Sequence, residues 1–422
     1  MLDGRYDYKR IIFLAIGIAQ LFWISKVSDL PISVGNWFPK AEEISSFHIP
    51  ESNFYPAGSA LLLVPFLMLK SNPLIILMAY FSLGNVFFYE IVKLIKDKKY
   101  QTLALGSIIL NPYLLWLIYT SQDTVFEYFL LMLCIFLLLN KKFLYFLFFG
   151  LILNLCRPAY WVYYLLIGIF LFIYNYISTK KYNWKYLLPF IFLLLNLTYN
   201  YYAYNNVRLA DESGITAYFS YNKDLYLSLP LFDMDVFLSK GGHMSNPYNF
   251  GESPSAYSKA AIKSIKENPK EILLSTMQKI DSYVFVSQKV PKLPGEYYLS
   301  EDGKSIVIGQ QRLTWMLVLG NLIYQIYRGT LFILFMLCIG ILIGTYSKNR
   351  IRENQKNLFI LVFPWISGLI SCTIFYTETR FKIVSELLLV VFSLKILSEF
   401  RMFKKTELNM ITKDQTERFP QI

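Results

Sequence analysis

Apolar runs of membrane-spanning length alternate with short basic connections along most of the chain. The basic connections lie at 9–10, 93–99, 141–142, 180–181, 348–356 and 401–405. Because short cytoplasmic loops of membrane proteins are rich in Lys and Arg, we assign all of them to the cytoplasmic side. With these connections on the cytoplasmic side, the apolar runs between them predict ten membrane spans, with both termini in the cytoplasm. The spans are 11–25, 74–93, 101–119, 124–140, 143–156, 161–177, 186–203, 329–346, 358–375 and 381–399.

Two further apolar stretches, 56–70 and 312–327, do not fit this alternation. We interpret both as interfacial or re-entrant helices on the outer face. If both crossed the membrane instead, the chain would have twelve spans and its termini would stay inside. The fold class predicted is therefore an all-α polytopic membrane protein of about 10–12 transmembrane helices, with outer-face interfacial helices and one large extracytoplasmic loop.

The same pattern divides the chain into regions. They are an N-terminal transmembrane module at 1–203 with a first outer loop at 26–55, an extracytoplasmic region at 204–311, C-terminal transmembrane helices at 312–400 and a basic cytoplasmic tail at 401–422. Within the long outer region, Ser253 and Pro254 predict the start of an amphipathic helix, and Pro269 should break or restart it.

Composition narrows the class of protein. Of 422 residues, 55% are hydrophobic, which is more apolar surface than the core of one soluble protein would bury. The net charge of +12 is typical of basic cytoplasmic loops, and no nucleic-acid motif accompanies it. The four cysteines lie in apolar runs and are expected to be small core residues. With His48 and His243 as the only histidines, a His/Cys metal site is nearly excluded. The first apolar run lacks a small-residue cleavage site, which indicates an uncleaved anchor rather than a signal peptide. We expect the protein in the cell inner (cytoplasmic) membrane.

Ionisable residues from distant segments fall on the outer side of this topology. They are Asp123, Glu127, Arg157, Glu378, Arg380 and Lys382, together with Asp29, Glu42, Glu43 and Glu51 of the first outer loop. Ionisable groups at membrane depth are costly and usually functional. Simpler interpretations stay open for each: the arginines would snorkel to headgroups, Asp123 would cap a helix, Glu378 and Arg380 would only pair, and the loop acids would be solvated.

Acids and arginines together at the outer face suit transfer of a group from a lipid-linked donor. Arg binds phosphate through charge-assisted bonds and would stabilise charge on a leaving phosphate. A carboxylate would act as general base toward the incoming hydroxyl. We find no P-loop or dinucleotide-binding fingerprint.

Several segments resemble the GT-C glycosyltransferases, integral membrane enzymes that use polyprenyl-phosphate sugars and include protein mannosyltransferases and lipid A aminoarabinose transferases. The segment "FYPAGSALLLVPFLM" looks like their Tyr-Pro segment after the first outer loop, and "NPYLLWLIYTSQDTVFEYFLLMLCIFLLL" is similar to the following hairpin with an acid at its outer turn. "LCRPAYWVYYLL" resembles their Arg-Pro start of a span, "AAIKSIKENPKEILLSTMQKI" a segment of bacterial members, and "ETRFKIVSELLLVVF" their late Glu-x-Arg-aromatic motif.

The resemblance implies a multi-pass membrane glycosyltransferase with an extracytoplasmic site, a polyprenyl-phosphate sugar donor and a glycan, lipid or protein acceptor. It implies Asp123, Arg157, Glu378 and Arg380 near the active cavity. We assign Arg157, Arg380 and Lys382 to the donor phosphate, with Tyr55, Glu127 and Glu378 in support. One departure is that "SVGNWFPKAEEI" lacks the Asp expected in the first outer loop. The identity of the base therefore stays open. We favour Asp29, because it closely follows the first span, with Glu43 second; if neither is required, the base is Asp123 or the chain is a divergent or inactive member. No particular cofactor is indicated, and metal dependence stays open, because carboxylates can hold a divalent cation but need not.

Two other functions stay open. An O-antigen ligase or polymerase would use a polyprenyl-diphosphate glycan and rely on Arg208 and His243 in the large outer loop. A transporter or lipid-linked sugar flippase would show internal repeats and polar groups near the bilayer centre. We see no clear repeat, and the charges concentrate at one face.

Overall fold

The computed structural model describes most of the chain and is almost entirely helical. The described residues are 8–27, 37–49, 57–109, 111–120, 123–205, 207, 209, 220–221, 254–284, 297–299, 306–308, 314–346, 352–374 and 382–418. In chain order the helices are α1 (Tyr8–Val27), α2 (Phe38–Ser45), α3 (Gly58–Met68), α4 (Pro73–Val92), α5 (Lys98–Ile109), α6 (Pro112–Thr120), α7 (Thr124–Leu139), α8 (Phe143–Cys156), α9 (Tyr160–Thr179), α10 (Leu188–Tyr204), α11 (Pro254–Glu267), α12 (Pro269–Val284), α13 (Thr314–Tyr346), α14 (Arg352–Ile374) and α15 (Ile383–Arg418). A 3₁₀ turn covers Trp184–Leu187, and strands β1 (Tyr297–Leu299) and β2 (Ile306–Ile308) pair antiparallel.

Five described segments are long and apolar enough to cross a membrane. They are Tyr8–Lys26, Pro73–Val92, Tyr160–Thr179, Ile326–Ile343 and Lys356–Ile374. Shorter apolar helices at Gly58–Leu67, Thr124–Leu139 and Phe143–Cys156 accompany them. The prediction of a helical membrane protein is confirmed at this level.

The core of the bundle is built around α7, whose side chains are buried almost throughout. Helix α4 packs between α1 and α7, and α8 packs on the other side of α7. The second half of the chain joins through α14, which contacts α9, α12 and α15, while α15 also packs on α5 and α13. Close approach of α4 to α7 needs Gly84, because a Cβ there would lie 2.4 Å from the Tyr128 ring.

Three predicted boundaries differ from the structure. The span predicted at 101–119 is two helices, α5 and α6, because Pro112 cannot donate a backbone bond and Asn111 caps the second helix through a 2.9 Å bond from Leu114 N to its Oδ1. The predicted separate helix at 312–327 continues into 329–346 as the single helix α13. The tail predicted from residue 401 is helical to Arg418 as part of α15. The break at Pro269 is confirmed between α11 and α12.

Charged residues mark one end of the bundle. Arg10 pairs with Glu90 at 2.7 Å, Lys395 with Glu399 at 2.5 Å and Arg401 with Asp97 at 3.5 Å. Lys141 and Lys185, at the ends of other helices, each lie close enough to Lys356 to repel it. The starts of α7 and α9 and the ends of α8 and α14 lie at the opposite end, which we call the site end.

Helix α3 meets α8 at the site end through Gly58. A Cβ at position 58 would lie 2.3 Å from Cys156 N and 2.4 Å from the carbonyl carbon of Leu155, and neither backbone atom can move without shifting a helix. We expect Gly58→Ala to lower the free energy of unfolding by about 1–3 kcal/mol, measured by equilibrium unfolding in detergent micelles. The matched control is Gly106→Ala on α5, where nothing lies within 4 Å and helix propensity predicts a gain of up to about 1 kcal/mol. Equal effects of the two substitutions would contradict the proposed contact.

Candidate functional site

The turn between α8 and α9 positions Arg157. Pro158 disfavours the helical conformation for the residue before it, and Arg157 adopts extended backbone angles of φ −140° and ψ 104°. Helix α8 therefore ends at Cys156, and α9 restarts with a 3.0 Å bond from Tyr160 N to the Arg157 carbonyl. The Arg157 side chain lies at the boundary of two helices, where it reaches the start of α7.

Two carboxylates meet this guanidinium. Asp123 and Glu127 are four residues apart at the start of α7, so they share one face of the helix. Arg157 Nη2 donates to Asp123 Oδ1 at 2.8 Å, and its Nε lies 2.7 Å from Glu127 Oε2. The Tyr160 hydroxyl donates to the other Glu127 oxygen at 2.6 Å. We call Asp123, Glu127, Arg157 and Tyr160 the carboxylate cluster.

The burial of the cluster rules out two of the simpler interpretations. The Arg157 side chain is 6% exposed and Glu127 is 0% exposed, so Arg157 does not snorkel to headgroups. Asp123 occupies the N-cap position of α7, yet its side chain makes no capping bond in the described structure and binds Arg157 instead. At 20% exposure, the Asp123 side chain is the most accessible of the three charged groups.

A second group of charges lies where α12, α13 and α15 meet. Arg328 Nε lies 2.7 Å from Glu386 Oε1, and both side chains are buried. The same guanidinium donates to the Tyr283 carbonyl at the end of α12. Lys382 precedes Glu386 by one helical turn, is buried, and has its ammonium 5.9 Å from the centre of the Tyr283 ring. We call Arg328, Lys382 and Glu386 the cation cluster.

Tyr283 and α14 join the two clusters. The Tyr283 hydroxyl donates to the Trp365 carbonyl on α14 at 2.9 Å, and its ring covers Gly368. The phenols of Tyr160 and Tyr283 lie close enough to interact electrostatically. Ser371, also on α14, donates to the Ala159 carbonyl beside Tyr160 at 3.1 Å. A carboxylate-rich group and a cation-rich group therefore lie side by side at the site end.

Lys279 lies on α12, one turn before Tyr283, and adds a further cation near the cation cluster. Its ammonium donates to Ser220 Oγ at 2.5 Å and lies 4.5 Å from the centre of the Tyr221 ring. Ser220 in turn donates to the Ile374 carbonyl at the end of α14. Burial lowers the pKa of Lys279 from its ordinary 10.5 to about 8, although the nearby Cys372 thiol acts in the other direction. This lysine ties the 220–221 segment to the site end.

The candidate residues from the sequence fall into three groups. Asp123, Glu127 and Arg157 are in direct contact, and Lys382 lies in the adjacent cation cluster. Glu43 lies on α2, is half-buried, and makes no hydrogen bond or ion pair with the described residues of either cluster. Asp29, Tyr55, Glu378 and Arg380 lie outside the described residues, as do Arg208 and His243.

Sequence reasoning missed Arg328, Tyr160 and Lys279. The sequence could have marked Arg328 as a candidate, since it is the single charged residue in the 33-residue helix α13. The prediction divided that helix at Arg328 and so overlooked the residue. Tyr160 and Lys279 gave no signal, because tyrosines are abundant in the chain and Lys279 sits on an amphipathic helix where surface lysines are expected.

Within the described ranges, no three His, Cys, Asp or Glu side chains converge as a metal site would require. All four cysteines are buried and free, which confirms their prediction as small core residues. Ion pairing and hydrogen bonding hold the carboxylate cluster together.

Comparison with known proteins returned no relative. No protein-family model, no curated protein and no solved structure matches the chain.

Proposed function

We propose that the protein is a membrane glycosyltransferase that moves a sugar from a polyprenyl-phosphate donor to a glycan, lipid or protein acceptor at the extracytoplasmic face. The observation that carries the proposal is the adjacency of the carboxylate cluster and the cation cluster at one end of a helical bundle. The phosphate of a lipid-linked sugar stays at the membrane boundary. Transfer of the sugar therefore needs cations that bind the phosphate, and a base for the acceptor, at that depth. The resemblance to GT-C enzymes supports the same assignment.

The two clusters suit the two halves of the reaction. The acceptor oxygen forms a bond to the anomeric carbon, the bond from that carbon to the phosphate oxygen breaks, and the phosphate takes the electron pair. Asp123, the most accessible charged side chain of its cluster, would take the acceptor proton. Lys382 and Arg328 would stabilise negative charge on the departing phosphate, and Arg380, beyond the described residues, would join them.

The charges at the other end of the bundle support an orientation for the protein. That end carries the short basic connections 141–142 and 180–181, which the positive-inside tendency assigns to the cytoplasm. The apolar segment Ile326–Ile343 begins two residues before Arg328, so Arg328 lies near the opposite membrane boundary. We therefore propose that both termini are cytoplasmic and that the clusters are extracytoplasmic.

The experiment that tests the function uses the purified full chain in detergent with polyprenyl-phosphate hexose and polyprenyl-phosphate pentose as donors. We expect release of polyprenyl phosphate, accelerated by a membrane lipid and glycan extract as the acceptor source. We also expect polyprenyl phosphate to raise the midpoint of thermal unfolding more than polyprenol does, because only the phosphate engages the cations.

Three results would contradict the proposal. Turnover of a polyprenyl-diphosphate glycan alone would identify a ligase or polymerase. Movement of a labelled sugar lipid across vesicle membranes without cleavage would identify a flippase. Equal stabilisation by polyprenol and polyprenyl phosphate would show that the cations do not bind the phosphate.

A further inference from the structure

Three lysines converge at the end of the bundle opposite both clusters. Lys141 lies between α7 and α8, Lys185 lies in the 3₁₀ turn before α10, and Lys356 lies in the second turn of α14. Lys141 and Lys185 are each close enough to the Lys356 ammonium to repel it. Three separate segments of the chain bring these ammonium groups near one another, where like charges repel.

The surrounding chain offers little negative charge to compensate. Residues 128–210 contain no Asp or Glu, and next to Lys356 the segment 348–356 carries four basic residues against the single acid Glu353. None of the three lysines forms an ion pair with a carboxylate of the described residues. An anion from outside the chain would supply the missing charge.

Aromatic side chains around the lysines indicate the depth of this surface. The Tyr186 ring packs on Phe143 with centroids 4.8 Å apart, which brings the turn of Lys185 against the start of α8 beside Lys141. The Lys356 ammonium lies 6.0 Å from the centre of the Tyr174 ring. Nearby, Tyr182 and Trp184 stack on each other while 59% and 67% exposed. Exposed Tyr and Trp beside helix ends are typical of the headgroup level of a bilayer.

We propose that Lys141, Lys185 and Lys356 form a binding site for the headgroup of an anionic phospholipid. Basic pockets between the ends of transmembrane helices on the cytoplasmic side bind such headgroups. The occupant is a lipid rather than a soluble anion, because exposed Tyr182 and Trp184 provide apolar contact for acyl chains next to the lysines. The site does not depend on the proposed transfer reaction, which concerns the other end of the bundle.

The test counts lipids bound to the purified full chain by native mass spectrometry, during titration with phosphatidylglycerol or phosphatidylcholine in mixed micelles. We expect tighter binding of phosphatidylglycerol to the unmodified chain. Each lysine near an anionic surface contributes about a fivefold gain in affinity, so the triple variant K141Q/K185Q/K356Q should bind phosphatidylglycerol about 100-fold more weakly. The control K259Q/K263Q/K266Q removes the same charge from the surface of α11 and should bind as the unmodified chain does.

Folding and specificity are checked in the same titration. If the triple variant does not yield folded protein, the single variant Lys185→Gln, at an exposed position, should weaken binding about fivefold. Unchanged phosphatidylglycerol binding by these variants would overturn the proposal. So would equal binding of phosphatidylcholine, or displacement of the lipid by millimolar inorganic phosphate, which would assign the lysines to a soluble anion.

Discussion

Replacement of Arg157 by Met is expected to cost about 3–5 kcal/mol of folding free energy, because it leaves the fully buried Glu127 without the guanidinium that lies 2.7 Å from it. Met keeps most of the side-chain volume, so loss of charge rather than loss of packing dominates the effect. The measurement is equilibrium unfolding of the purified chain in detergent micelles, together with the yield of monodisperse protein.

The chain contains a matched control for this substitution. Arg10 pairs with Glu90 at the same distance of 2.7 Å, but its side chain is 41% exposed. Solvent screens such a pair, and Arg10→Met should cost no more than about 1 kcal/mol. The double variant R157M/E127Q should recover much of the loss, because a buried amide needs no counter-charge. Equal costs for Arg157→Met and Arg10→Met, or no recovery in the double variant, would show that Arg157 does not balance a buried carboxylate.

The helices were the most predictable part of this fold. Apolar runs separated by basic connections give nearly the observed bounds of α7 and α8, because both helices are mostly apolar and are followed directly by a polar residue, Asn140 or Arg157. The prediction failed where a local signal competed with tertiary structure. Arg328 looked like an interruption in an apolar stretch, but its pairing with Glu386 lets α13 continue through it.

The candidate site was predictable only in part, for a similar reason. Asp123 and Arg157 lie at connections that the span count predicts on the same side of the membrane, but their direct contact is seen only in the structure. Glu127 followed from Asp123 by helical spacing. The pairing of Arg328 with Glu386 joins residues 58 positions apart on helices whose rotation the sequence does not define. Likewise, only the packed structure brings Tyr283 between the two clusters.

Asp123 is the residue whose replacement should have the largest effect on the proposed transfer reaction. Asp123→Asn preserves shape and removes the negative charge, so a general base would be lost and transfer should slow about 10²–10⁴-fold. The protein should still fold, since the ion pair between Arg157 and Glu127 remains and the Asp123 side chain is partly exposed. The measurement is the rate of polyprenyl phosphate release from a polyprenyl-phosphate sugar, with the midpoint of thermal unfolding recorded on the same samples.

Glu43→Gln provides the comparison, because it makes the same carboxylate-to-amide change on α2, where no hydrogen bond or ion pair joins the side chain to the carboxylate cluster. We expect it to retain the unmodified rate. Stabilisation by polyprenyl phosphate should persist in Asp123→Asn, since the cation cluster is intact, and this separates loss of the base from loss of donor binding. If Asp123→Asn turns over normally while Glu43→Gln does not, the base lies in the first outer loop. If both retain full activity, Asp29 is the next carboxylate to replace, and Asp123 serves only to hold Arg157.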